Sequence, residues 1–389
     1  MSRWPDKYVI ALTGNIATGK SVVRRMLEHL GVFGIDADAL SHQSMARSGP
    51  AYAPVVKMFG EWLLTPAGEV DRALLGRLVF SEPAALARLE AIVHPFVGHA
   101  VDILVKRAKA SVIAIEAVKI IETRLAEDCN SLWVVNAPPM VQVERLMAKR
   151  KLSREQAELR LAAQPPQAEK LKSASAIIQN DGAFEATWLQ VQAAYNQITM
   201  PIPIGEAPTQ PVPAVTAATV ITPARLLRVR RGRPNDSSVL AAFIQQATGG
   251  QRAPSRADVM AAFGEKAYLL VERSGEVAAL AGWQVENLVT RVDELYFAPG
   301  ATLTEVAPPL LEAVESASRE LQSEAALIFL TPALTTKLSP VLEPAGYTPR
   351  TPDSLGVAAW QEAATASMPA GGTVMLFKKL REDRILRPV

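Results

Sequence analysis

Three groups of residues in this 389-residue chain have the side chains and spacing needed to handle phosphate. The first, Gly14-Asn15-Ile16-Ala17-Thr18-Gly19-Lys20-Ser21, satisfies G-x-x-x-x-G-K-[ST]. Gly14 and Gly19 permit backbone angles that aim the intervening N–H groups at phosphate oxygens. Lys20 is placed to reach the β- and γ-phosphates of a nucleotide, and Ser21 to give its hydroxyl to Mg²⁺. The second group is Asp36 and Asp38, in Ile35-Asp36-Ala37-Asp38. Carboxylates past a strand end beside such a loop can orient an acceptor hydroxyl and take its proton. One of the pair can instead cap the next helix, since Asp is a favoured N-cap. The third is a cationic stretch of Lys149, Arg150, Lys151, Arg154 and Arg160. On a mobile helix such cations can close over a nucleoside triphosphate. Arg150, Arg154 and Arg160 are the better candidates, because guanidinium binds phosphate oxygens bidentately. Lys149 and Lys151 read as solvated.

These groups need elements to position them. Tyr8 to Thr13 reads as a strand running into the glycine loop. Val22, Val23, Met26, Leu27 and Leu30 form one face of a helix that ends at Gly31. Short apolar runs near 32–35, 112–115, 132–135 and 176–178 read as further strands, and their alternation with helical patterns predicts a parallel α/β sheet. Ser153 with Gln156 makes a capping box, so a lid over 149–165 starts a helix there. Phe184, Trp188, Val191, Tyr195 and Ile198 predict a closing helix. Between the second and third strands lie roughly 75 residues, far more than a crossover needs. Their helical pattern predicts an acceptor-holding insertion over 40–110. From Thr199 to Pro223 the chain has six prolines and almost no charge, predicting an extended linker at 201–224 between a domain of 1–200 and one of 225–389.

Net charge is +2, too small to suggest a nucleic acid or a membrane surface as partner. The single cysteine, Cys129, permits no internal disulfide and suits a reducing cytoplasm. It reads as a small residue near a helix end rather than a nucleophile. The apolar run from Tyr8 to Leu12 is too short for a signal sequence. No apolar run is long enough to predict a membrane span.

Several motifs, in order, resemble the dephospho-CoA kinase family over nearly all of residues 8–198. ALTGNIATGKS looks like its ALTGGIGSGKS, and VFGIDADALSHQ like its strand-plus-DAD signature. Gly68 to Arg72, Leu78 to Phe80 and Ile92 to Pro95 resemble its inserted helices. Ser153 to Gln164 resembles its lid, and Ile177 to Gly182 its adenine-side loop, which brings in Asn180. The resemblance implies a P-loop fold and transfer of the γ-phosphoryl of ATP to the ribose 3′-hydroxyl of dephospho-CoA. It implies Asp38 as the base, Asp36 orienting the hydroxyl or joining the magnesium shell, and Arg72 and His94 at the acceptor. His94 reads equally as a cap before Pro95. One departure is Ala117-Val118-Lys119-Ile120-Ile121-Glu122, where the family often has Pro-Leu-Leu-Phe-Glu after its third strand. Glu122 remains as an acceptor-side candidate, Lys119 can meet an acceptor phosphate or solvent, and Glu116 can act through water on magnesium. Another small-molecule P-loop kinase, or a nucleotide-binding regulator without catalysis, is the alternative.

Residues 225–389 predict an α+β unit: a first strand at Leu226 to Arg230, a meander of Ala267 to Val271, Glu276 to Val285 and Val292 to Phe297 turning at Ser274-Gly275, a helix from Pro308 to Leu321, and a strand at Ala326 to Leu330. The order resembles the GNAT acetyltransferase fold. In its strand-to-helix passage, Thr302, Leu303, Glu305 and Ala307 replace the arginine and glycines of that family's cofactor loop. Side chains there, an acidic one above all, should exclude a pyrophosphate. A fragment of residues 220–389 is therefore expected to show no acetyl-CoA binding by calorimetry at submillimolar concentration. Tight binding would overturn the reading of this half as a non-catalytic module.

Overall fold

A computed structural model describes residues 2–199, 227–369 and 371–382. The predicted linker at 201–224 lies outside the described residues. In the first half, β1 (Tyr8–Thr13) leads through the glycine loop into α1 (Lys20–His29) and β2 (Phe33–Asp36). The long insertion is α2 (Ala37–Ser44), α3 (Tyr52–Phe59), α4 (Arg72–Ser81) and α5 (Pro83–Arg107), with its own core of Met45, Val55, Leu63, Leu75, Val79 and Val93. Then come β3 (Val112–Glu116), β4 (Ser131–Asn136), α6 (Pro139–Arg150), α7 (Arg154–Ala162), α8 (Gln167–Lys172), β5 (Ala176–Gln179) and α9 (Phe184–Thr199). The sheet order is β2-β3-β1-β4-β5, with every pair parallel.

The central strands are buried on both faces, so they read as continuous apolar runs. Alternate residues serve different cores. Val9 and Ala11 join Ile35, Leu104 and Ile113 on one face, while Ile10 and Leu12 join Met26, Leu27, Trp133 and Trp188 on the other. The parallel arrangement brings Thr13, Asp36, Glu116 and Asn136 to one edge, where open α/β sheets bind ligands. One expectation fails within the insertion. α5 continues through Pro95, so His94 is an exposed mid-helix residue and caps nothing.

The second half comprises β6 (Leu227–Arg231), α10 (Ser237–Ala247), α11 (Arg256–Ala262), β7 (Ala267–Arg273), β8 (Glu276–Glu286), β9 (Val289–Phe297), α12 (Leu303–Glu320), β10 (Ala325–Leu330), α13 (Pro332–Leu342), β11 (Thr348–Pro349), α14 (Ala358–Ser367) and β12 (Val374–Lys379). Its sheet runs β11-β12-β10-β9-β8-β7-β6, antiparallel except for the parallel pair β9–β10. Ser274 and Gly275 turn the β7–β8 hairpin with φ of 55° and 86°, the signs that a type I′ turn needs. α12 starts at Leu303, not at Pro308, and both Pro308 and Pro309 lie inside it. Its apolar stripe of Val306, Leu310, Leu311 and Val314 begins ahead of the prolines, and burying it outweighs the two lost backbone donors.

The two sheets are joined by side chains around α1. The β8–β9 turn, Asn287 and Leu288, has φ of 54° and 59°. Leu288 and Leu321 pack against the first-half core that includes Leu104 and Ile35, and Gln43 donates to the Asn287 carbonyl. Buried Arg25 donates to Gln284 at 3.0 Å. His29 Nε2 donates to the Phe263 carbonyl at 2.7 Å, with the Phe263 ring edge-on at 5.2 Å and Trp188 at 6.4 Å. Arg256–Glu185 and Lys149–Glu265 bridge the periphery at 3.0 and 3.6 Å. Such exposed pairs are worth about 0–1 kcal/mol, so the apolar and buried polar contacts carry the association.

Burial pulls His29 below the ordinary histidine value of 6.5, against the Phe263 carbonyl, which favours the proton. Folded His29 thus holds a proton less tightly than an unfolded histidine. Its contribution is intact above pH 6.5 and is lost as pH falls from there through the folded-state value. Denaturant unfolding of wild type and His29→Gln across pH 5–8 should show curves that diverge at neutral pH and converge on the acid side. Parallel curves would show that the imidazole carries no such linkage.

Candidate active site

The glycine loop is shaped by contacts that admit no side chain at two positions. A Cβ on Gly14, φ 149°, would lie 2.4 Å from the Val135 carbonyl, and one on Gly19, φ 94°, would lie 1.9 Å from Asn180 Nδ2. Ala17 takes φ 60° where the resembled pattern has glycine, a strained choice for a residue with a Cβ. Loop carbonyls are held from outside: Thr18 O accepts from Asn180 Nδ2 at 2.8 Å, and Ala17 O and Thr18 O each accept from Arg145 Nη1 at 3.3 Å. Loop amides are held from the lid base. Asn15 N–H donates to Gln167 Oε1 at 2.9 Å and Ile16 N–H to Gln164 Oε1 at 2.6 Å. Lys20 is buried, with Nζ donating to the Asn15 carbonyl at 3.3 Å.

Carboxylates converge on the same edge. Glu116 ends β3 with 4% exposure and accepts from Ser21 Oγ at 2.7 Å and from Arg24 Nε at 2.8 Å. Asp36 caps α2, accepting from Ala39 N–H at 2.8 Å, so the capping alternative applies to this member of the pair. Asp38 Oδ2 accepts from Val118 N–H at 3.1 Å. Burial, then Glu116, raises Asp36 to about 6. Burial also raises Asp38, while the Val118 N–H and Lys20 work against that rise. Lys20 is lowered by burial, with Glu116, Asp38 and Asp36 opposing. Burial alone would lower Arg24, but Glu28 and Glu116 outweigh it and hold it firmly charged.

The remaining predicted residues divide. Arg150 ends α6, and its charge is felt at Lys20. Ser153 and Gln156 make the expected capping box. Arg154 is exposed and paired with Glu158 at 2.9 Å, and Arg160 is exposed. Arg72 makes a bidentate pair with Glu362 of α14, at 2.8 and 2.9 Å, rather than lining an open acceptor cleft. Lys119 pairs with Glu90 at 2.8 Å. Glu122 lies 3.9 Å from the ammonium of Lys170, which has 3% exposure. Sequence reasoning gave no role to Arg145, Gln164, Gln167 or Lys170. The one signal for the last three is polar residues on both sides of Pro165-Pro166, which a solvated segment would share.

Among the described residues, no group of three or more His, Cys, Asp or Glu is arranged to hold a metal by itself. Mg²⁺ needs no such cage, since it keeps waters and takes substrate phosphates with one or two hard oxygen ligands. The Ser21 hydroxyl beside Glu116 and Asp36 is a donor set of that kind, and it fits the ion.

The dephospho-CoA kinase family model matches residues 8–186. Dephospho-CoA kinase of Geobacter metallireducens is 41% identical over 192 residues, which span 49% of this chain and 96% of that protein. The solved structure of TT1252 from Thermus thermophilus is 31% identical, with a TM-score of 0.46 over 50% of this chain and 99% of that one. Ribosomal-protein-S18-alanine N-acetyltransferase from Escherichia coli, a neighbour of the second half, is 12% identical with a TM-score of 0.32, covering 41% of this chain and 97% of that one. Its likeness says nothing about activity. The intact phosphate loop, the carboxylates at the strand ends and a relative aligned over almost its whole length place this chain in the dephospho-CoA kinase family.

Proposed function

We propose that residues 1–200 transfer the γ-phosphoryl group of ATP to the ribose 3′-hydroxyl of dephospho-CoA, giving coenzyme A, and that residues 225–389 are non-catalytic. The observation that carries this is the meeting of Lys20, Ser21 and Asp38 at one edge of a parallel sheet, around a loop that keeps both its glycines. ATP binds along the loop, with Thr18 and Asn180 shaping its floor. Lys20 leaves the Asn15 carbonyl for phosphate oxygens, and Arg150 adds charge from the end of α6. The Ser21 hydroxyl, beside Glu116, would hold magnesium, which would supply positive charge against the phosphates. Amides of Asn15 and Ile16 become available as Gln167 and Gln164 release them, which ties nucleotide binding to the lid.

Asp38 accepts the proton of the acceptor hydroxyl. Its raised proton affinity suits that task better than an ordinary carboxylate, since a base works best when its pKa lies nearer the working pH. Asp36 orients the site from the helix cap, and Glu122 is the acceptor-side candidate, whereas Arg72 would have to leave Glu362 to meet the acceptor. Arg154 and Arg160 reach phosphate when the lid closes over the nucleotide. The reaction suits the cytoplasm. Burial, then Asp128, lifts Cys129 to about 12, above the ordinary thiol range. No helix among the described residues is long and apolar enough to cross a membrane.

Substitutions at Lys20, Asp38 and Asp36 test this. Lys20→Ala should abolish phosphoryl transfer in a protein that still folds, and full turnover by it would overturn the kinase mechanism. Asp38→Asn should lower kcat by about 10²–10⁴-fold with little change in the KM for ATP. If Asp36→Asn is crippled while Asp38→Asn is nearly normal, the base is Asp36. Steady-state assays with dephospho-CoA and a panel of other hydroxyl acceptors read them, and preference for another acceptor would replace the substrate.

A further inference from the structure

Lys170 is a buried amine for which the transfer described above has no use. It projects from α8, just past the lid, and Nζ donates to the Val118 carbonyl at 2.7 Å. The same carbonyl accepts from Thr13 Oγ1 at 3.1 Å, at the last residue of β1 before the glycine loop. The N–H of Val118 donates to Asp38 Oδ2 at 3.1 Å. Val118 is thus held at its carbonyl by the lid side and the loop side, and at its amide it holds Asp38. α8 is itself anchored: Gln167 takes the Asn15 amide and donates to the Val135 carbonyl at 2.9 Å.

An ammonium with 3% exposure is a costly way to fill space. Among the described residues, its only carboxylate within ion-pair distance, Glu122, stands 3.9 Å away and is partly solvated. An apolar side chain of similar length would fill the same volume without the desolvation cost. Val118 supplies the N–H that Asp38 accepts, and a proline at this position would have none to donate.

We propose that Lys170 is a positioning residue for phosphoryl transfer: through the backbone of Val118 it fixes the Asp38 carboxylate beside the glycine loop. This rests on Asp38 being the base. Burial lowers the proton affinity of Lys170, with Glu122 and Asp38 opposing, so the amine is poised among the site's charges. Its connection to Asp38 runs through two hydrogen bonds on one residue, and the KM for ATP is the control for any effect that travels through α8 to the loop.

A double-mutant cycle on the full chain tests the route, with kcat and both KM values measured for wild type, Lys170→Met, Val118→Pro and the double variant. Each single substitution should lower kcat by about 10–100-fold, the scale set by a misplaced reacting group, with the KM for ATP unchanged. The double variant should be no slower than the slower single, because both break one chain of contacts. Full kcat in Lys170→Met, losses that multiply in the double variant, or a loss confined to the acceptor KM would each overturn the proposal. Should Lys170→Met fail to fold, Val118→Pro carries the test alone, and an unchanged kcat in it overturns the proposal. Asp38→Asn, measured alongside, separates the two levels. If it keeps its kcat, the base assignment fails; if it is crippled while Lys170→Met and Val118→Pro are not, only the positioning role fails.

Discussion

Glu116 is the point on which the site depends. Glu116 has 4% exposure, and burying a charged side chain is costly unless partners meet it. Here Arg24 meets it on one oxygen and Ser21 on the other. Both partners lie on α1, so the charge requirement of one strand end fixes the first turns of the helix that carries Lys20. The same negative charge adds to burial in raising Asp36 and opposes the lowering of Lys20 by burial. Removing one member of such a buried pair costs about 3–5 kcal/mol, enough to move the helix that forms the loop's far wall. Loop geometry, metal ligand and carboxylate protonation are therefore one problem with one solution.

Much of the first half was legible because its signals are local. The loop motif, the apolar runs of β1 and β3, and the capping box at Ser153 each need only a few neighbouring residues to be recognised. What was missed acts over long separations. Gln164 and Gln167 close on amides at Ile16 and Asn15, Lys170 reaches Val118, and Glu362 meets Arg72 from the other end of the chain. No periodicity marks such residues, since a buried polar side chain and a solvated one are spelled alike. In the second half, the sequence predicts a helix from Pro308, and proline is at home in a first turn. The stripe beginning at Val306 overrode that preference. His94 misled in the same way, since Pro95 marks no boundary where tertiary packing keeps α5 continuous.

The halves contribute unequally to their joint surface. The first offers a finished helix, α1, whose apolar side already packs on its own sheet and whose other side presents Arg25 and His29. The second offers a hairpin turn and a loop carbonyl. Peripheral ion pairs add orientation more than strength. Arg72 differs in geometry, since both its Nη atoms pair with the Glu362 carboxylate.

The β8–β9 turn sets an order of assembly. A chain emerges from the ribosome N-terminus first, and its first domain can close before the next is made. Leu288 in a left-handed conformation costs roughly 1–2 kcal/mol, and in this protein it rests on residues that belong to the earlier sheet. When β8 and β9 are synthesised, the surface that accommodates their strained turn is already standing. The kinase half thus supplies, ahead of the later strands, the surface on which the β8–β9 turn rests.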